Sequence, residues 1–110
     1  MKILLDESTL QKLRLLIEGH TVLTTWFQGW SGLKNGALLS AAEDAGFDLF
    51  ITADQEIRYQ QDFTGRRIAM LVLSTNNWGL IKARAAEIVA AIESTIPAGF
   101  TFIDIGHARG

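Results

Sequence analysis

Six apolar residues in succession, Ile68-Ala69-Met70-Leu71-Val72-Leu73, follow Arg67 and constrain the chain more than any other stretch. An apolar run of strand length without alternation suits a strand buried on both faces, as the central strands of a parallel sheet are. Such a strand needs covering layers on both sides, so the flanking sequence has to supply helices.

The flanking sequence has that pattern. Lys2 to Leu5 is a short apolar run ended by Asp6-Glu7, and it reads as a buried strand. Ser8 or Thr9 can cap a helix of about ten residues in which Leu10, Leu13, Leu16 and Ile17 recur at helical spacing before Gly19. His20 to Thr25 is rich in β-branched residues and predicts a second strand. Trp26 to Lys34 has two Trp and two Gly without a period and reads as a loop. Ala37, Leu38, Ala41, Ala42 and Ala45 mark a second helix, with Asn35 as its cap and Gly46 as its stop. Asp48 to Thr52 is a third strand, Ala53 to Asp62 a polar segment with room for a short helix, and Arg67 to Leu73 the fourth strand. After a turn at Ser74 to Trp78, an alanine-rich helix spans Leu80 to Ile96 and ends at Pro97 and Gly99. Phe100 to Ile105 is the last strand.

Strands alternating with helices predict a three-layer α/β/α sandwich with a mainly parallel five-stranded sheet and right-handed crossovers. The 110 residues, 48% of them hydrophobic, suit one domain spanning 1–110. The chain has no cysteine, which excludes a disulfide scaffold and a thiol nucleophile, and its net charge of -2 provides no global basic field. Met1 to Asp6 meets a carboxylate after three apolar residues, too short a run for a signal peptide or a membrane span, so the expected location is cytoplasmic and no membrane partner is expected. Neither a G-x-x-x-x-G-K-[ST] loop, a G-x-G-x-x-G fingerprint nor a G-x-S-x-G elbow occurs, which removes the usual support for nucleotide hydrolysis, dinucleotide chemistry and acyl transfer.

In parallel α/β sheets, sites form beyond the carboxyl ends of the strands. That rule sorts the polar residues. Asp6 and Glu7 leave strand one at that edge, Asp54 and Glu56 leave strand three, Asn76 and Asn77 follow strand four, and Asp104 ends strand five, so all are expected around one crevice. Asn35 returns to the same edge, whereas Glu43, Asp44 and Asp48 belong to the opposite one, Glu43 being about 12 Å of helix from Asn35. Carboxylates gathered without Cys or paired His suit a hard cation, Mg²⁺ or Mn²⁺, able to clamp a phosphodiester and activate water. The same acids also serve simply to end strands and favour helix starts. Arg58, Arg66 and Arg67 form the densest basic cluster near the motif and are readable as phosphate contacts, Arg66 and Arg67 equally as a polar strand entrance, while His20 reads as a surface or boundary residue and His107 as part of the tail. Trp26 and Trp30 have the faces to stack on bases, although loop tryptophans more often plug a core or an interface.

The segments Lys2-Ile3-Leu4-Leu5-Asp6-Glu7, Gly29 to Leu39, Phe47 to Gln55, and Gln60 to Ile68 followed by Leu71 to Thr75 resemble, in order and spacing, the PIN-like proteins grouped as a domain of unknown function. The resemblance covers nearly the whole chain. It implies a PIN-like fold related to metal-dependent ribonucleases and to toxins of bacterial toxin-antitoxin pairs, hence RNA as substrate and an antitoxin protein as partner. It implies Asp6 as the strand-one acid with Glu7 beside it, Asp54 as the acid of the Thr-x-Asp motif, and Glu56 as the second acid two residues on. Asp6 and Asp54 would ligate the metal. The family's further acid falls at Asn35, which brings no charge but has an amide oxygen able to orient a bound water. That departure, with Ala37 close by and two loop tryptophans, motivates an alternative expectation: a catalytically weakened module acting through a protein partner or as a homodimer.

Overall fold

The first strand, β1 (Lys2–Leu5), has no exposed side chain and lies inside the sheet rather than at its edge. The computed structural model describes residues 1–6, 8–33, 35–54 and 66–105, with side-chain detail for all of these except 8–11 and 35. Beside β1 stand β2 (Thr21–Thr24), β3 (Leu49–Thr52), β4 (Ala69–Leu73) and β5 (Phe100–Ile103), in the order β2-β1-β3-β4-β5, every neighbouring pair parallel. The expected mainly parallel sheet is thus parallel throughout the described residues.

Both faces of the sheet are covered, as the apolar run of β4 requires. Ile3, Leu5, Leu49, Ile51, Leu71 and Leu73 point to one face, under a 3-10 helix (Ser8–Leu15) and two α-helices, α2 (Trp78–Ala83) and α3 (Ala85–Glu93). Leu4, Phe50, Met70 and Val72 point to the other, under α1 (Asn35–Asp44). The result is the three-layer α/β/α sandwich. Strands β3 and β4 are buried at every position, which is why their sequences show no alternation.

Two helices differ from expectation. The first is 3-10 in type and stops at Leu15. Its eight residues at about 2.0 Å per residue span about 16 Å, against about 12 Å for an α-helix of equal length, and so carry the chain back along the sheet in one short segment. The alanine-rich helix is broken at Arg84, whose backbone leaves helical geometry while its Nη1 donates to the Ile105 carbonyl and its guanidinium pairs with Glu87. It also begins earlier, because Asn77 caps it by accepting from the Leu80 N–H at 3.1 Å. The segment expected as a short helix after Ala53 lies mostly outside the described residues. Among the described residues, no helix is long and apolar enough to cross a membrane.

Candidate functional site

A strand order of 2-1-3-4-5 reverses direction between β1 and β3, and in sheets of this kind ligands bind at that switch point, beyond the carboxyl ends of the strands. Asp6 leaves β1 there. Its N–H donates to the Ile51 carbonyl at 3.0 Å, so the β1–β3 ladder runs on through Asp6 and holds its backbone. Asp54 leaves β3 at the same place, and Thr52 joins the two. The Thr52 hydroxyl donates to Asp6 Oδ2 at 2.8 Å and accepts from the Asp54 N–H at 3.0 Å. Asp6 is half-buried and Asp54 exposed, whereas Thr52 is 1% exposed.

Strand alternation extends this arrangement to β2. Leu4, Leu23 and Phe50 all pack on the α1 side of the sheet, so the residues two further on, Asp6, Thr25 and Thr52, project to that side as well. The register pairs Leu5 with Thr24 and with Ile51, which sets Asp6 level with Thr25 on one flank and Thr52 on the other. The Thr25 N–H donates to the Leu5 carbonyl at 3.0 Å and fixes that alignment. Three oxygen-bearing side chains therefore form a row across β2, β1 and β3, with neighbouring strands about 4.8 Å apart. The Thr25 hydroxyl is 2% exposed with its residue and has no hydrogen-bond partner.

The chain following α1 enters the opposite edge, where Asp48 Oδ2 accepts from the Lys2 N–H at 2.8 Å, so Asn35 starts the helix at the site edge as expected. Glu7 and Glu56 lie outside the described residues, as do Arg58 and His107. Asp104 follows β5, three strand spacings or roughly 14 Å from β1, and does not share the crevice. Asn77 is occupied as the cap of α2. The expectation that all these polar residues meet in one crevice thus narrows to Asp6, Asp54 and the start of α1, because β4 and β5 carry their ends away from the switch point. Among the described residues, no three His, Asp or Glu side chains gather as a metal cluster. The donors at the switch point are all oxygens, which fits Mg²⁺ or Mn²⁺ held through one or two carboxylates with water completing the shell.

Arg66 and Arg67 do not face this edge. Arg66 lies along α1, its Nη1 donating to Ser40 Oγ at 3.0 Å and Glu43 Oε1 at 3.1 Å and its Nη2 to the Gly36 carbonyl at 3.3 Å. Glu43 Oε2 accepts from the N–H groups of Arg67 and Ile68. Burial is the largest influence on Glu43 and pushes its pKa up, but those two N–H groups and the Arg66 guanidinium outweigh it and hold the carboxyl below its ordinary value. Arg66 and the Arg67 backbone are therefore a structural strand entrance at the amino edge. A cavity of about 460 Å³ also lies there, lined by Phe47, Asp48, Arg67, Ile68, Ile96 and Pro97, remote from Asp6. His20 belongs to that edge too, bridging the Met1 amine and Glu93.

The two tryptophans separate. Trp30 is half-buried and meets Phe47 edge-to-face, ring centroids 5.8 Å apart, as a core plug. Trp26 is 73% exposed and the adjacent Phe27 68%, immediately after Thr25 at the site edge. Phe27, Thr25 and the linking role of Thr52 are not among the charged, amide and tryptophan residues that the sequence singles out. Their signal is that the runs Lys2–Leu5, Thr21–Thr24 and Phe50–Ile51 each end in an oxygen-bearing residue at matching register.

Comparisons with protein-family models, curated proteins and solved structures gave no match to this chain.

Proposed function

We propose that the chain is a Mg²⁺- or Mn²⁺-dependent ribonuclease of PIN-like type, acting in the cytoplasm as the toxin of a toxin-antitoxin pair. The observation that carries the nuclease reading is the Asp6–Thr52–Asp54 linkage at the sheet's switch point, where a hydroxyl orients one carboxylate and fixes the backbone of the other. The toxin assignment and the antitoxin partner rest on the resemblance of the sequence alone. Asp6 and Asp54 would hold the cation, with Glu7 or Glu56 assisting and Asn35 orienting a water. The bound cation supplies Lewis acidity at the phosphodiester and lowers the pKa of water. Thr52, by donating to Asp6 Oδ2, restrains the rotation of that carboxylate. The exposed faces of Trp26 and Phe27 support single-stranded RNA as substrate, since bases stack on aromatic rings without sequence preference.

The purified chain should cleave single-stranded RNA with added Mn²⁺ or Mg²⁺, stop in EDTA, and lose activity on Asp6→Asn or Asp54→Asn. Cleavage that survives EDTA overturns the reading.

The exposed trio Trp26, Phe27 and Leu33 favours a second reading, a non-catalytic module whose apolar loop is covered by a protein partner or by a second copy. Dimers in sedimentation together with absent cleavage at every metal concentration would select it.

A further inference from the structure

Thr25 sits level with Asp6 in the extended β1–β2 register, on the same side of the sheet, and its hydroxyl is buried without a partner. A hydroxyl left so is costly, and polar groups buried in folded proteins normally find an acceptor or donor. Its neighbour Thr52, level with Asp6 on the other flank, has both its donor and its acceptor engaged. The two threonines are thus alike in burial, Thr52 ending β3 and Thr25 following β2, but opposite in satisfaction. A purely structural residue at this position would be served better by valine, which has the same shape and no hydroxyl. The burial of an oxygen one strand spacing from a carboxylate is explained if a ligand of the crevice takes it up.

We propose that the Thr25 hydroxyl oxygen is a ligand, beside the Asp6 carboxylate, of a hard divalent cation at the switch point. This rests on the metal-dependent reading above and adds a residue to it. A hydroxyl is a neutral, hard oxygen suited to Mg²⁺ or Mn²⁺, and it adds a donor without adding charge. Asn35 is neutral as well, so the site would hold its cation with fewer negative charges than a cluster of acids provides. Thr25 also lies directly before the exposed Trp26 and Phe27, so the cation and the aromatic surface are joined by one short segment of chain.

The test is isothermal titration with Mn²⁺ alone on the full chain, comparing the native protein with Thr25→Val, Thr25→Ser and Asp6→Asn, each with a thermal melt. The expected result is that Thr25→Val weakens Mn²⁺ binding roughly 10- to 100-fold, Thr25→Ser keeps most of it, and the melting temperature of metal-free Thr25→Val equals or exceeds that of the native chain. If Asp6→Asn abolishes binding while Thr25→Val leaves it unchanged, this proposal falls and the metal-dependent reading stands. If the native chain binds no Mn²⁺, both fall. Should Thr25→Val not fold, Thr25→Ser and Thr25→Ala carry the comparison, and equal affinity in those two overturns the proposal.

Discussion

The hydroxyl of Thr52 stands between two strands, donating across to Asp6 of β1 at 2.8 Å while its own strand, β3, ends beneath it. That single contact ties the position of a half-buried carboxylate to the most buried part of the sheet. Thr52→Val removes both of the hydroxyl's bonds. The expected loss is about 1–2 kcal/mol of unfolding free energy in urea, with Thr52→Ser recovering most of it. Under the nuclease reading, cleavage drops further than stability does, because the Asp6 carboxylate loses a contact that sets its orientation. Equal activity in Thr52→Val and the native chain would remove the hydroxyl from the mechanism.

Glu43 governs the acid limb of stability. Its carboxyl titrates lower in the folded chain than in the unfolded one, so the stability it contributes is complete above the unfolded value and is lost as pH falls through the folded one. Unfolded glutamate titrates near about 4.3, and the loss should therefore appear below that pH. Glu43→Gln should lower stability by about 2 kcal/mol at neutral pH and flatten the acid limb of a stability curve measured by denaturant titration from pH 7 to 3. A variant whose curve keeps the native slope would show that Glu43 is not the group concerned.

Trp26 and Phe27 are exposed, so replacing either with alanine should change stability by no more than about 0.5 kcal/mol. Binding of a metal-free, non-cleavable single-stranded oligonucleotide should weaken by about 1–3 kcal/mol per ring if bases stack there. Fluorescence anisotropy at fixed salt reads this directly, and unchanged affinity in Trp26→Ala-Phe27→Ala would assign the patch to a protein partner.

Ala98 has φ of 63°, a left-handed conformation that costs a side-chain-bearing residue about 1–2 kcal/mol. Its N–H donates to the Arg67 carbonyl at 2.8 Å, which holds the turn in place at the entry to β5. Ala98→Gly should raise the unfolding free energy by about 0.5–1 kcal/mol, after the extra entropy of glycine in the unfolded chain is offset. Chemical denaturation at pH 7 checks it, and a destabilised variant would contradict the strain.

The fold was largely legible because burial on two faces leaves a plain mark. Ile68 to Leu73 cannot alternate when both sides are covered, and Leu38 and Ala42, two of the residues at helical spacing, are buried on the one covered face of α1. The break at Arg84 was not legible, since it depends on a carbonyl at Ile105, 21 residues away, that only the folded chain brings near. Asp6 and Asp54 were legible because strand order alone decides which ends meet at a switch point. Thr25 was not, since a threonine in a β-branched segment reads as strand propensity until the register sets it beside Asp6. Arg66 and Arg67 misled because nearness in sequence to the Thr-x-Asp motif is not nearness in space: a parallel strand begins at the edge opposite the one where its neighbour ends.

The two edges of the sheet divide their duties. At the amino edge, Lys2 reaches the Ala45 carbonyl at 2.7 Å and lies 4.5 Å from the centre of the Phe47 ring, and Glu43 and His20 bind elements distant in sequence. At the carboxyl edge, Thr25 keeps a hydroxyl unsatisfied and two aromatic rings face water. Selection on abundance and selection on activity would then act on separate sets of positions. A mutational scan scored by protein level in cells should mark Lys2, Glu43 and Phe47 as intolerant and pass over the exposed Trp26 and Asp54. Under the toxin reading, the same library scored by growth inhibition should reverse the emphasis at the carboxyl edge, so that neither scan alone outlines the whole molecule.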